Sequence, residues 1–163
     1  MNSSMNEQGL ELLYKGKILE FNRFRLKNLT LKPDLSEQDF SKKNLSGALL
    51  NGAICIKTNF SSCILTKVNL VQSELNNANF ELADLTDGLF LYSEMKECNL
   101  RKCNMKRTNF MWANLYNADL TGSSLIGTIF IEANLQGSNL TDLNRDNAYI
   151  KYAKIENTKW ANV

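Results

Sequence analysis

The sequence predicts an all-β solenoid, a rod of stacked four-cornered coils, with a helical segment in front of it. Three periodic features support this fold. Every position divisible by five from Leu35 to Trp160 holds an apolar residue, with Arg145 as the exception. A small residue stands two places before most of these central residues. Asn or Asp stands one place before more than half of them.

The strict period of five does not fit an ordinary strand or helix. A strand buries every second residue and a helix every third or fourth, so neither would bury Phe80, Leu85 and Phe90 together. We expect each central residue and the small residue two places before it to face inward on one extended step. Asn, Asp, Ser and Gly at outward positions suit the bend that follows. Four bends close a square coil after twenty residues, and coils stack ~4.8 Å apart.

A twenty-residue coil places residues twenty apart above one another. Phe40, Phe60 and Phe80 are then expected in one column, and Phe90, Phe110 and Phe130 in another. Offset ring packing within a column stabilises it beyond the burial of area. Leu85, Met105 and Leu125 are expected to share a third column.

The cleanest copies of the repeat are A-D-L-T-D, A-N-L-Y-N, A-D-L-T-G and A-N-L-Q-G, which begin at Ala83, Ala113, Ala118 and Ala133. They resemble the pentapeptide-repeat family, whose motif is A-(D/N)-L-x-x. The resemblance covers residues 34 to about 162 in an unbroken phase. It implies the fold of that family, a right-handed quadrilateral β-helix.

Residues 1–33 lie outside the repeat and are predicted to form an N-terminal α-helical cap on a repeat domain of residues 34–163. Apolar residues recur there at helical intervals, which indicates one amphipathic helix or a pair broken near Gly16. Ser4 and Glu7 have the spacing of a capping box. The segment resembles the leader of many bacterial, notably cyanobacterial, pentapeptide repeats, which implies a stand-alone member of that type. A helical lid would cover the open first coil.

At the other end the repeat weakens around Leu143 and Arg145, while Tyr149, Tyr152 and Trp160 appear. Two interpretations stay open. The aromatic residues close the last coil themselves, or two rods meet end to end there.

The composition argues against an enzyme, a metal site and a cofactor. The chain has no histidine, which removes Ser-His and Cys-His catalysis. The four cysteines, Cys55, Cys63, Cys98 and Cys103, form no C-x-x-C pair and are interpreted as reduced, buried thiols. Carboxylates on the outside of a solid rod have no cleft that would raise their pKa values for acid catalysis.

The chain lacks a signal-peptide pattern and any apolar run of the ~18 residues that a membrane span needs. We therefore expect a cytoplasmic protein without a membrane partner. The formal net charge of +2 indicates no particular partner.

One side of the predicted rod carries apolar residues at its outward positions, whereas the other sides carry mostly polar ones. This composition is typical of an interface core, so we predict a protein partner or self-association, with a homodimer as one form. The alternative is that the N-terminal segment folds back over this side. The predicted interface residues are Leu49, Val71, Leu89, Leu91, Tyr92, Met111, Trp112, Ile129, Ile131, Tyr149 and Tyr152.

Two other functions were considered. A cluster of Lys96, Arg101, Lys102, Lys106 and Arg107 suggests nucleic-acid binding, but Glu94 and Glu97 lie nearby and we expect a solvated surface instead. Some members of the resembled family mimic duplex DNA, bind DNA gyrase and give quinolone resistance, and this is the alternative function. It requires a strongly acidic surface, whereas residues 34–163 carry 14 acidic and 13 basic residues.

Overall fold

The computed structural model describes residues 2–160. Two helices come first, α1 (Asn2–Tyr14) and α2 (Ile18–Lys27). The repeat follows as extended steps and turns. It contains four two-residue strands, β1 (Thr128–Ile129), β2 (Asn139–Leu140), β3 (Ala148–Tyr149) and β4 (Lys159–Trp160), and a 3₁₀ helix at Arg145–Asn147. None of the described helices is long and apolar enough to cross a membrane.

The predicted coil of twenty residues is confirmed by the β-bridges. Parallel bridges join residues twenty apart from Asp34 and Ile54 onward to Asn134 and Lys154. The pairs β1–β3 and β2–β4 keep the same offset. Leu85, Met105 and Leu125 are all buried, and the bridges beside them keep the three in one column.

The four sides of the rod are named by one inward residue each. The Phe110 side has the central residues Leu50, Leu70, Phe90, Phe110, Phe130 and Ile150. The Phe60 side, two corners away and therefore opposite, has Phe40, Phe60, Phe80, Leu100, Leu120, Leu140 and Trp160. The Leu75 and Leu85 sides lie between them.

Both predicted phenylalanine columns are present. The ring centroids of Phe60 lie 5.8 Å from Phe40 and 5.1 Å from Phe80, and all three rings are stacked. The second column has spacings of 5.0 Å and 5.2 Å around Phe110. Phe80 meets Phe90 edge to face at 6.0 Å, so the two columns join into one aromatic core.

The corner has a recurring main-chain geometry. The Asn or Asp before a central residue commonly accepts a hydrogen bond from the N–H two residues on, as Asn59 does from Ser61 at 3.1 Å. The residue two places after each central residue has a positive φ from Glu37 to Asp142, and again at Tyr152 and Asn157. Most of these residues are not glycine, so the coils above and below must impose the conformation.

The small inward residues also link the coils. Thr58 donates its hydroxyl to the Leu35 carbonyl at 2.7 Å, and Ser73 donates to the Leu50 carbonyl at 3.0 Å. The Cys98 thiol makes the equivalent contact with the Leu75 carbonyl at 2.9 Å. These side chains are buried, so the contacts satisfy polar groups that would otherwise cost free energy.

Of the two N-terminal arrangements left open by the sequence, the structure has the pair of helices. They are separated at Gly16, which has a φ of 67°. The capping-box prediction was wrong in position. The helix is already formed at Asn2, so Ser4 lies inside its first turn and does not mark its start.

The two helices lie against the first coil. The Asn6 carboxamide bridges the main chain of Asp34, accepting from its N–H at 2.8 Å and donating to its carbonyl at 2.9 Å. The Asn22 carboxamide does the same for the Leu49 N–H and the Gly47 carbonyl, both at 2.9 Å. These amides supply contacts that a preceding coil would have supplied.

Arg25 reinforces this contact from a buried position. Its guanidinium donates to the carbonyls of Leu49 at 3.1 Å and Asn51 at 2.9 Å, and also to the Leu31 carbonyl. Burial lowers the pKa of this guanidinium from its usual value. The contacts tie the end of α2 to the Phe110 side of the first coil.

The last described coil is less regular than those before it. The 3₁₀ helix replaces one corner and Arg145 is exposed, while Leu143 stays buried. The Trp160 indole N–H donates to the Leu143 carbonyl at 3.0 Å, and the Arg145 guanidinium lies 5.7 Å from the Trp160 ring. Trp160 thus packs across the end of the described core.

Candidate protein interface

The predicted interface residues form three columns on the outside of the Phe110 side. One column, directly after the central residues, runs through Val71, Leu91, Met111 and Ile131, all half-buried. A second column lies before the central residues. It alternates apolar residues with asparagine from Leu49 to Ile129 and ends at Tyr149, after five bridged steps. At ~4.8 Å per step it extends ~24 Å along the rod. We call the outward residues of this side the apolar face.

The third column occupies the corner and carries the aromatic residues. Tyr92 and Trp112 stack with their ring centroids 4.7 Å apart and their planes 7° from parallel. Both residues have positive φ, 56° and 57°. The corner backbone turns these rings outward, and they remain 51% and 39% exposed. Stacking holds two large apolar rings in a fixed orientation at the surface.

The apolar face is open to solvent. Tyr149 and Tyr152 are 61% and 72% exposed, and Leu89 is 40% exposed. The helix contacts made by Asn6, Asn22 and Arg25 reach only the first coil and the segment before it. The N-terminal segment therefore lies against this face at Leu49 in the first coil, and it does not cover the exposed residues of the later coils.

At some positions of this face, an apolar residue stands where asparagine would accept a hydrogen bond from the main chain of its own coil. Asn69 and Asn109 accept hydrogen bonds from the N–H groups two residues on, at 3.1 Å and 2.9 Å. Leu89, which lies between them in the column, has no side-chain acceptor. Within the described chain, no residue accepts from the Leu91 N–H. Leu at position 89 thus gives up a hydrogen bond that asparagine makes at the neighbouring positions of the column.

A sequence profile of pentapeptide repeats matches this chain with eight copies, over residues 34–66, 63–88 and 93–130. These ranges span more than half of the protein. The chain belongs to the pentapeptide-repeat family. Four successive five-residue repeats make one of the twenty-residue coils described above. The right-handed quadrilateral β-helix is the fold of this family.

A solved structure agrees with this assignment. The chain resembles a pentapeptide repeat protein, Rfr23, from the cyanobacterium Cyanothece 51142, with a TM-score of 0.58 and 23% identity over 87% of this chain and 99% of that one. It also matches QnrB1, a plasmid-mediated fluoroquinolone resistance protein, at a TM-score of 0.49 and 15% identity over 79% and 90% of the two chains. At 23% identity the likeness to Rfr23 shows the fold alone. No curated protein matches the chain significantly.

Sequence reasoning missed several exposed apolar residues elsewhere on this pentapeptide-repeat protein. They do not follow the columns of one side. Leu19 and Leu26 lie on α2, whereas Ile155, which the period of five predicts to be inward, is 36% exposed in the last described coil. These exposed residues are Leu19, Leu26, Leu29, Ile64, Leu82, Tyr116, Ile126 and Ile155. Leu82 is useful as a reference, because it occupies the corner position of the opposite side with a φ of 64°.

The basic cluster of the pentapeptide-repeat rod is partly paired with carboxylates. Arg107 makes a bidentate contact with Asp87 at 2.6 Å and 2.8 Å, and it holds the pKa of that carboxyl below its usual value. Arg101 lies 3.6 Å from Asp119, and Lys96 lies 3.4 Å from Glu94. This pairing lowers the free positive charge available to phosphates.

The four cysteines are buried free thiols, as the sequence predicted. Burial raises the pKa of Cys63 to about 11 and those of Cys98 and Cys103 to about 12, and it raises that of Cys55 as well. They are therefore protonated near neutral pH and poor nucleophiles. In the described part of the chain, no cluster of cysteine and carboxylate residues is arranged to hold a metal ion.

Proposed function

We propose that this protein is a non-catalytic scaffold that binds a protein, either a second copy or a different chain, through the apolar face. The observation that carries the proposal is the exposed Tyr92–Trp112 stack beside the apolar column that runs from Val71 to Ile131. Aromatic residues and methionine are enriched in interface cores, and exposed patches of this kind mark interaction sites. Two fixed rings lose little conformational freedom on binding, which favours them as anchors.

The scaffold role fits the interior of the rod. Its centre is filled by side chains, and the thiols of Cys63, Cys98 and Cys103 are protonated and bonded to main-chain carbonyls, so the interior of the described rod offers no site for catalysis. We extend the proposal to the absence of enzymatic activity. The fold fixes the spacing of outward residues, and the choice of those residues sets what is bound.

Light scattering after size-exclusion chromatography tests the self-association form. We expect the wild type to form a dimer and Trp112→Glu to be a monomer, with Leu82→Glu unchanged as the matched control. Glutamate fits these corners, because Glu97 and Glu132 already occupy equivalent positions. If the wild type is a monomer, the same two variants are compared with it for loss of binding to a different protein. Equal loss in both variants would contradict the proposal.

We also propose that residues 1–33 act as a helical cap on a repeat domain of residues 34–163, in a cytoplasmic protein of bacterial type. The bridges from Asn6 and Asn22 to the first coil support the cap. An uncapped coil would leave main-chain groups unpaired at a sheet edge, which favours unwanted association.

We do not extend the proposal to gyrase binding. The repeat has a net charge of −1 from residue 34 onward, which is far from the charge density of duplex DNA. Protection of gyrase from a quinolone in a supercoiling assay would reverse this judgement.

A further inference from the structure

Four main-chain N–H groups of the first coil lack the hydrogen-bond acceptor that their counterparts in later coils find in the preceding coil. In later coils, the N–H before a central residue donates to the carbonyl 21 residues earlier, as Ile54 does to Pro33 and Asn59 to Gln38, both at 2.9 Å. The first coil has no coil before it. The equivalent N–H groups therefore face the two helices, and they belong to Asp34, Asp39, Asn44 and Leu49.

Two of these four groups are filled in the same way. Side-chain carboxamides of Asn6 and Asn22 accept from the N–H groups of Asp34 and Leu49 at 2.8 Å and 2.9 Å. Each carboxamide also donates to a nearby carbonyl, so it pairs as a strand would. The open edge of the first coil therefore binds amide groups, which accept from its N–H groups and donate to its carbonyls.

The N–H groups of Asp39 and Asn44 have no such partner among the described residues, and the junction of α1 and α2 lies over Asn44. Beside it lies a cavity of about 410 Å³, a size within the usual range for ligand sites. The cavity separates the Leu85 side of the first coil from the junction of α1 and α2. Its lining includes Tyr14, Lys15, Gly16, Lys43, Asn44 and Ser46.

Two lysines line this cavity, and Lys43 is the one that gives it positive charge. Lys15 is paired with Glu11 at 2.5 Å, and the Lys43 ammonium donates to the Tyr14 carbonyl at 2.9 Å, which leaves its charge without a carboxylate there. The cavity thus combines a free edge N–H with a positive rim. A carboxylate would gain charge-assisted hydrogen bonds from this rim.

We propose that this cavity binds an extended peptide segment with an acidic side chain. Its main-chain carbonyl accepts from the Asn44 N–H, as the Asn6 and Asn22 carboxamides accept at the neighbouring positions. Its carboxylate lies toward Lys43. This is strand addition at a stretch of edge that the helices leave accessible through a cavity.

The test is a titration of the full-length ¹⁵N-labelled protein with the capped peptide acetyl-Asp-Ala-Asp-amide, followed by NMR. We expect the Asn44 amide signal to shift with saturation, while the paired Asp34 and Leu49 amides stay in place. The neutral isostere acetyl-Asn-Ala-Asn-amide should bind at least fivefold more weakly. No saturable shift at Asn44, or equal affinity for both peptides, would overturn the proposal.

Two further measurements locate the site. Lys43→Gln should weaken binding at least threefold, whereas Lys17→Gln, whose side chain is outside the cavity, should leave it unchanged. In the free protein, the Asn44 amide should exchange with solvent at least tenfold faster than the Leu49 amide. Equal effects of the two lysine variants, or equal exchange rates, would contradict the site.

Discussion

Two opposite sides of the rod have the same interior and different exteriors. The Phe60 and Phe110 sides each bury a column of stacked phenylalanines, with small residues beside it. The positions directly after the central residues differ. They are Ser41, Ser61, Glu81, Arg101, Thr121 and Thr141 on the Phe60 side, against Asn51, Val71, Leu91, Met111, Ile131 and Lys151 on the Phe110 side.

The positions before the central residues differ in the same way. On the Phe60 side, Asn79 donates to Asn59 at 3.3 Å, and Asn59 donates to Asp39 at 3.0 Å, so side chains bond along the column. On the Phe110 side, Leu89 breaks the corresponding column. The comparison teaches that inward residues determine the fold, whereas outward residues can change without altering it.

The largest expected effect comes from the interior, and it should be the same on both sides. Phe60→Ala and Phe110→Ala each remove a fully buried ring from the middle of a stack. We expect each to lower the free energy of unfolding by about 3–5 kcal/mol, measured by urea denaturation. A loss below about 1 kcal/mol in either variant would break the equivalence of the two interiors.

A smaller effect is expected where the rod meets α2. Asn22→Ala removes the acceptor for the Leu49 N–H and the donor for the Gly47 carbonyl. The unfolding free energy should fall by about 1–3 kcal/mol, because main-chain groups lose their partners. Arg23→Ala, an exposed neighbour on the same helix, is the control. If both variants cost the same, the carboxamide contacts do not stabilise the first coil.

Exchanging residues between the two sides should have effects of opposite sign. Asn79→Leu loses the hydrogen bond from the Glu81 N–H, 3.1 Å long, and should cost about 1 kcal/mol. Leu89→Asn gives the Leu91 N–H an acceptor and should stabilise the protein by about 0.5–1 kcal/mol while weakening partner binding. Thermal unfolding of both variants checks this. A stabilising Asn79→Leu would contradict it.

The smallest effect on stability is expected at the exposed corners. Trp112→Glu and Leu82→Glu each replace an exposed residue at a corner with positive φ. Each should change the free energy of unfolding by about 0.5 kcal/mol or less, although Trp112 also loses its stacking on Tyr92. A loss above about 2 kcal/mol in Trp112→Glu would show that the stack is structural.

The sequence predicted the coils because the same inward requirement recurs at every fifth residue, and it predicted that the Phe110 side is apolar. It did not predict the positive φ of Trp112, since a bulky residue rarely adopts that conformation alone and the neighbouring coils impose it. The bridges from Asn6 and Asn22 were also missed. They depend on how the helices pack, and no local pattern marks them.

Site-specific photo-crosslinking in the native host tests the central claim most directly. The photoreactive residue p-benzoylphenylalanine is placed at position 92 on the apolar face, or at position 82 on the opposite side. The two native residues have matching corner geometry and exposures of 51% and 57%. The account predicts a discrete crosslinked species from position 92 and none from position 82. No adduct at position 92, or the same adduct from both positions, would contradict it.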